Sequence, residues 1–336
     1  MLRARLDPAL RNYLGASEVP TRADRERDSV SPQVVAVAGG CSETCRVARS
    51  RARGSSRSRE WRSATSPAQS LPECIQRGGS SASQLVRAHY DRYGFYFADS
   101  NTARAAFLRH SQLGRLVRSR EAEWGPIIDV GCGEGRIYRL LSDPQCLRYM
   151  GLDLSSGVLA RARERLPRVR LVRGDAGALP IRCGAASLVI CQGVLHHTED
   201  PRRTFGELAR VTSAGGLIQL SIYNRRAMYY YLVVALGRLS FHLARTRFGR
   251  ALLAVTVFPL LYVLLFEPAH LVYGAHMPVG GAWRFFLDQF AHPRVWFFRR
   301  RQLYRWAAEE GLEVVAFDAE LAGWMLSFVL RKIGRA

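Results

Sequence analysis

The sequence predicts an α/β chain built on a doubly wound, mostly parallel sheet. Three observations predict it. First, Ile127-Ile128-Asp129-Val130-Gly131-Cys132-Gly133-Glu134-Gly135-Arg136 passes from apolar residues to an acid, then to glycine at every second position. That is a buried strand turning sharply, with its main chain bare at the turn, because only glycine takes positive φ freely and lets a ligand lie against the backbone. Second, another strand-like run ends in an acid, Asp153, 24 residues after Asp129. A βαβ unit places a ribose-binding carboxylate at about that distance. Third, short apolar runs bounded by turn residues alternate with helical patterns as far as Ile222.

Each element follows in order. Ile137, Leu140 and Leu141 fall at helical spacing and predict a helix between the first two strands. Tyr149 to Ser155 is the second strand. Val169 to Arg173 is the third, running into Gly174-Asp175-Ala176, where Gly-Asp is also an ordinary turn signal. Ala186 to Gln192 is a continuous apolar run, hence a fourth strand buried on both faces, and Gly193-Val194-Leu195-His196-His197 follows it. Asp200 is a good N-cap and Pro201 suits the first helical position. Phe205, Leu208 and Ala209 supply that helix's apolar stripe. Gly215-Gly216 ends the loop before a fifth strand, Leu217 to Ile222. A helix from Gln302 to Glu310, capped by Gly311, precedes two more strands, Leu312 to Phe317 and Trp324 to Leu330.

The glycine spacing narrows the ligand. Dinucleotide binders carry a third glycine where Arg136 stands, and a phosphate-cradling loop would need Gly-Lys-Ser/Thr, which is absent. The string resembles motif I of class I S-adenosylmethionine-dependent methyltransferases, within the small-molecule, quinone-methylase-like group. The resemblance is close from Pro126 to Ile222 and looser from Arg300 to Arg331. It implies a seven-stranded sheet of order 3-2-1-4-5-7-6 with an antiparallel last strand and an insertion after strand five. It implies S-adenosyl-L-methionine as cofactor, laid against Gly131, Cys132, Gly133 and Gly135. Asp129 would orient the turn and the cofactor's amino group. Asp153 and Leu154 would meet the ribose, Asp175 and Ala176 the adenine, and Gln192 the methionine part. Leu195-His196-His197 resembles the family's "LHH" segment, in which His196 or His197 could serve as base, although the pair is frequent where no base is assigned. Gln84 to Tyr93 resembles the family's lead-in helix over the cofactor; Tyr90 and Tyr93 either touch ligand there or pack.

The chain has 336 residues and a formal net charge of +21, and Lys332 is its one lysine. So arginine-rich a bias fits a GC-rich genome, yet the field still attracts anions. Residues 1–84 read as a disordered basic tail: Arg46 to Ser70 is dominated by Arg, Ser and Ala and cannot bury enough surface to offset ordering. An upstream extension of the reading frame is the other account of that tail. Residues 85–125 form the helical lead-in, 126–223 the cofactor-binding core, 224–300 an insertion, and 301–336 the last helix and strands. Seven scattered cysteines without a C-x-x-C pair or zinc-like spacing predict no metal, no disulfide framework and a reducing compartment. No apolar signal segment opens the chain, so the expected location is cytoplasmic, with a peripheral membrane position as an option.

The insertion is apolar, aromatic and basic, with ten arginines against Glu267 and Asp288. Met228 to Leu236 reads as a helix. Ala251 to Phe266 is 16 residues long, short of the roughly 20 needed to span a bilayer, and Pro259 interrupts it. Three readings fit: a lid over a greasy pocket, an interfacial membrane anchor, or extra core. Substrate class narrows by absences. After strand four stands Cys191-Gln192-Gly193-Val194, not the Asn/Asp-Pro-Pro-Tyr/Phe of amino-methylating nucleic-acid enzymes. The Pro-Cys of cytosine-C5 enzymes, the paired glutamates of protein arginine methyltransferases and the acid cluster of metal-dependent catechol enzymes are also missing. The expected acceptor is a small lipophilic molecule. The alternative is a nucleic-acid methyltransferase whose basic tail and insertion track phosphates; a membrane scaffold with a degenerate motif I sits badly with its intact glycines and acids.

Overall fold

The computed structural model describes residues 73–76, 82–93, 111–118, 125–146, 148–266, 279–320 and 323–334. All of them belong to one unit, Ser55–Ala336. The strands are β1 (Glu73–Gln76), β2 (Ile127–Val130), β3 (Tyr149–Asp153), β4 (Arg170–Arg173), β5 (Ala186–Gln192), β6 (Thr212–Tyr223), β7 (Arg294–Phe297), β8 (Leu312–Glu320) and β9 (Met325–Lys332). The helices are α1 (Ala82–Tyr93), α2 (Gln112–Arg118), α3 (Asp143–Cys146), α4 (Ser156–Arg165), α5 (Pro201–Val211), α6 (Met228–Ala244), α7 (Arg247–Val255), α8 (Val257–Leu261), α9 (Val279–Phe290) and α10 (Arg300–Glu309).

Seven strands form one sheet in the order β4-β3-β2-β5-β6-β9-β8, and β9 runs antiparallel to both neighbours. Counted within that sheet, with β2 first, the order is the expected 3-2-1-4-5-7-6. The order reverses at β2, which lies parallel between β3 and β5. Ligands of open α/β sheets bind beyond the carboxyl ends of the strands at such a reversal. Here those ends carry Gly131, Asp153 and Gln192.

The core explains the strands. Ile127, Ile128, Val130, Val189 and Ile190 are at most 2% exposed, as expected for strands covered on both faces. Helix α5 buries Phe205, Leu208 and Ala209 on the core side, and its N-terminus is capped as expected, with the Arg203 amide donating to Asp200 Oδ1 at 3.0 Å. Ser155 caps α4 in the same way, accepting from the Val158 amide.

Four expectations are corrected. The helix predicted after Gly135 is a 3-10 turn, Tyr138–Leu140, followed by the short α3. A helix continuing through Pro144 would lose an amide and crowd the Leu140 carbonyl, so the chain breaks at Leu141, whose ψ is 154°. Ile137, Leu140 and Leu141 are buried all the same. The fifth strand is longer than predicted, because the Gly215-Gly216 stretch lies within β6, where the pairing with β5 shifts register. The expected tail boundary at residue 84 also moves: β1 lies inside the predicted tail and pairs antiparallel with β7, and α1 begins at Ala82. The rest of that tail, 1–72 and 77–81, lies outside the described residues. Finally, Cys183 is disulfide-bonded, because cysteine spacing along the chain does not report distance in space; Cys132, Cys146 and Cys191 are free thiols.

The described part of the insertion is mostly helical, with β7 added near its end. Its inner face is a second, aromatic core: Tyr229 stacks on Trp324 with ring centroids 5.1 Å apart, and Phe258 meets Trp283 and Phe286. Its outer face is apolar too. Eleven of the twelve large hydrophobic residues exposed among the described residues lie between Met228 and Val279. Among the described residues no single helix is long and apolar enough to cross a membrane; α7 and the segment after it form a bent pair of sufficient combined length and apolarity.

Candidate cofactor crevice and histidine cluster

The turn after β2 takes its shape from three glycines. Gly131, Gly133 and Gly135 have φ of 74°, 56° and 78°, a region other residues enter only with strain. The Gly131 and Cys132 amides both donate to the Leu152 carbonyl, at 2.7 and 3.0 Å, tying the turn to β3. A Cβ at Gly131 would stand 2.3 Å from Val194 Cγ2, and one at Gly135 2.4 Å from Leu166 Cδ1. At Gly133 a Cβ would meet nothing within 4 Å. The backbone is bare there and faces open space, which is what a ligand pressed against the main chain requires.

Asp153 stands beside it. Its Oδ2 accepts from the Gly133 amide at 3.0 Å and its Oδ1 from the Ser155 amide at 2.9 Å. Each oxygen keeps a further lone pair for a ribose hydroxyl. Burial raises the Asp153 carboxyl above the usual carboxylate range, while the amide bonds oppose that rise. Next along the chain, Leu154 is half-buried. Cys132 is buried, and burial keeps its thiol protonated.

Asp129 lies beneath the turn rather than in the crevice. It is 1% exposed and accepts from the Tyr149 hydroxyl at 2.7 Å. Burial pushes its carboxyl up to about 7, against the pull of the Tyr149 bond and the Arg136 charge. Its carboxyl is thus engaged with Tyr149 of β3. Asp175 is exposed, and its Oδ1 accepts from the Gly177 amide at 2.8 Å, so the turn role is realised directly; Ala176 beside it is buried. Gln192 ends β5 with a buried Oε1 that has no hydrogen-bond partner. A buried amide oxygen is costly when unpaired, and a donor such as an ammonium group would satisfy it.

His196 and His197 follow in a 3-10 turn. His196 stacks on Tyr223 at 3.6 Å, with both ring nitrogens buried and unbonded. His197 places Nδ1 3.1 Å from the Arg294 carbonyl. A carbonyl only accepts, so Nδ1 carries the proton and Nε2 keeps a lone pair. Burial holds both rings neutral, pushing His197 down to about 4 and His196 well below the ordinary range.

Sequence reasoning missed the residues around this pair. The His292 ring lies 3.8 Å from that of His197 and 4.9 Å from that of His89. Asp288 is 2% exposed and accepts from Gln289 Nε2 at 2.7 Å. Gln289 Oε1 in turn accepts from the Tyr223 and Tyr229 hydroxyls. Tyr90, expected either to touch ligand or to pack, sits among these rings, and its phenol is held protonated by burial and by Asp288; the side chain of Tyr93 lies outside the described residues. Helix α1 is anchored to the crevice by Asp91, whose Oδ1 accepts from the Ser155 hydroxyl and the Gly157 amide. The one sequence signal for this cluster was the resemblance that put α1 over the cofactor.

With this geometry in view, the chain's likeness to known proteins can be stated. The sequence profile described as "Methyltransferase domain" matches residues 128–220, the segment from β2 to β6. Over that segment the chain is similar to a methyltransferase domain. A probable S-adenosylmethionine-dependent methyltransferase of Mycolicibacterium smegmatis is 32% identical over 119 residues, 35% of this chain and 46% of that protein. A demethylmenaquinone methyltransferase of Renibacterium salmoninarum is 29% identical over 98 residues, 29% of this chain and 41% of that protein. The chain thus spans less than half the length of these curated relatives. Among solved structures, an S-adenosylmethionine-dependent methyltransferase from Mesorhizobium loti superposes with a TM-score of 0.44 at 16% identity, covering 67% of this chain and 99% of that one. The bare Gly133, the Asp153 carboxylate and the orphaned Gln192 oxygen fit S-adenosylmethionine, the cofactor in the name of the Mycolicibacterium smegmatis relative.

Proposed function

We propose that this chain transfers a methyl group from S-adenosylmethionine to a small lipophilic acceptor taken up at a membrane surface. The observation that carries the transfer is the open backbone at Gly133 set against Asp153. The bound sulfonium supplies a methyl carbon already activated for in-line attack. The chain's part is positioning, which can contribute on the order of 7–11 kcal/mol, and exclusion of water. Where the acceptor must lose a proton, His197 Nε2 is a neutral acceptor in the aromatic cluster beside the crevice, fixed by its bond to the Arg294 carbonyl.

The acceptor class rests on the insertion. Met228, Tyr231 and Leu239 are exposed along the same helix as Arg238, and the exposed Phe248 adjoins Arg247 on the next. Apolar side chains interleaved with arginines suit the headgroup region of an anionic bilayer. The inner face of the same helices packs as core, so lid, anchor and extra core describe faces of one element. The relative named demethylmenaquinone methyltransferase has an acceptor compatible with this class. The reading places the enzyme in the cytoplasm, peripheral at the membrane. A transfer assay with methyl-labelled cofactor against lipid, polar and RNA fractions of cells tests it. Label in the lipid fraction supports the acceptor class; label in RNA would overturn it.

A further inference from the structure

We propose that His89, Asp288 and His292 form a binding site for one divalent transition-metal ion of the zinc type. The three residues come from α1, from α9 and from the loop after α9. Each is buried, and one donor atom from each lies within 4.8 Å of the other two. A tetrahedral ion about 2.1 Å from each ligand holds them about 3.4 Å apart, so side-chain shifts on the order of an ångström complete the set.

The surroundings are those of a ligand set. Metal-bound imidazoles hold their orientation by donating the far ring N–H to a carbonyl or carboxylate, and ligating carboxylates are themselves hydrogen-bonded. His292 Nδ1 lies 2.7 Å from the Arg294 carbonyl and 3.3 Å from the Arg294 amide nitrogen; in the tautomer that donates to the carbonyl, Nε2 keeps its lone pair for an ion. Asp288 Oδ2 is held by Gln289, which two tyrosine hydroxyls fix in turn. Asp288 Oδ1 is buried with no hydrogen-bond partner. The side chains that act on this carboxyl are Tyr90 and Gln289, neither of them a cation. A buried carboxylate without a counter-charge is expensive, and a divalent ion supplies the missing charge. Two imidazoles and one carboxylate leave coordination positions open, as in catalytic rather than structural zinc sites.

The expectation of no metal was drawn from cysteine spacing and an absent acid cluster. It could not see two histidines and an aspartate 199 and 203 residues apart from His89 to Asp288 and His292. The site itself stands without the transfer reading; its use does rest on that reading. An acceptor hydroxyl on such an ion would be a stronger acid, and its proton could pass to His197 Nε2, which faces the same cluster.

The test is binding, not activity. The full chain, stripped with chelator, is titrated with Zn2+ by calorimetry and with Co2+ by visible absorption, alongside S-adenosylhomocysteine. Expected are one ion per chain and a Co2+ spectrum of low-coordinate nitrogen and oxygen ligation. Asp288→Asn and His89→Ala should each weaken Zn2+ at least 100-fold while S-adenosylhomocysteine still binds, and His242→Ala, on an exposed face of α6, should change nothing. No stoichiometric ion in the unsubstituted chain, a Co2+ spectrum of the hydrated ion, or equal affinity in the variants overturns the site. Cofactor binding without metal sinks this inference alone, whereas metal binding without cofactor sinks the transfer reading alone. Should a variant fail to fold, the Co2+ spectrum of the unsubstituted chain decides.

Discussion

The Gly133 amide donates to Asp153 Oδ2 at 3.0 Å, joining the bare turn after β2 to the acid at the end of β3. The two halves of the cofactor crevice are therefore one hydrogen-bonded unit before any ligand arrives, and the glycines within it have separable roles.

Gly131→Ala and Gly133→Ala should differ in kind. Both positions have positive φ, which costs about 1 kcal/mol for a residue with a Cβ. At Gly131 the new Cβ also meets Val194 at 2.3 Å, and that clash should add about 1–3 kcal/mol. Thermal unfolding should show the larger loss for Gly131→Ala. Gly133→Ala has room for its methyl, so it should stay folded and lose cofactor affinity at least tenfold by calorimetry. Equal melting losses, or undiminished affinity in Gly133→Ala, would contradict the assignment.

Asp129 gives a pH signature. Its folded carboxyl titrates near about 7 against a reference of 3.8, so between those values the folded chain holds a proton that the unfolded chain has released. Stability from this group is full below the unfolded value and declines as pH rises toward 7, by at most about 4 kcal/mol. The groups facing it are Tyr149, Arg136, Asp153 and Cys132. Neutral buried histidines elsewhere act in the opposite sense below pH 6.5, so the quantity to measure is a difference. Denaturant unfolding of the native chain minus that of Asp129→Asn should slope downward from pH 4.5 to pH 7; a flat difference refutes the buried-acid account.

The outer face of the insertion should bind vesicles. Sedimentation with vesicles containing phosphatidylserine is expected to carry the full chain down, and added salt should weaken that binding. Phe248→Asp together with Val255→Asp, at residues 80% and 74% exposed, should reduce binding at least tenfold and leave the melting temperature within a few degrees. Binding that ignores these substitutions would remove α7 from the membrane contact.

Reading the sequence worked where the signal was local. Asp129, the three glycines and Asp153 lie within one βαβ unit, and periodicity and spacing placed them where the structure has them. The same was true of the Asp200 cap and the stripe of α5. It failed where distant segments meet. Nothing in Glu73–Gln76 announces a partner in Arg294–Phe297, because four residues carry too little pattern to separate a strand from a loop. The helix foreseen around Ile137 was stopped by Pro144, a local rule that the apolar spacing had outweighed. His89 lies 199 residues before Asp288, which is four residues from His292, so the sequence holds the Asp288–His292 pair but only the fold brings His89 to it.

The most direct test is a crystal structure of the full chain with S-adenosylhomocysteine. The account expects the adenosyl group along Gly131 to Gly135, both ribose hydroxyls on the Asp153 carboxylate, and the sulfur directed toward Gln192 and His197. A ligand bound elsewhere, or the space over Gly133 filled by the chain's own side chains, would contradict it.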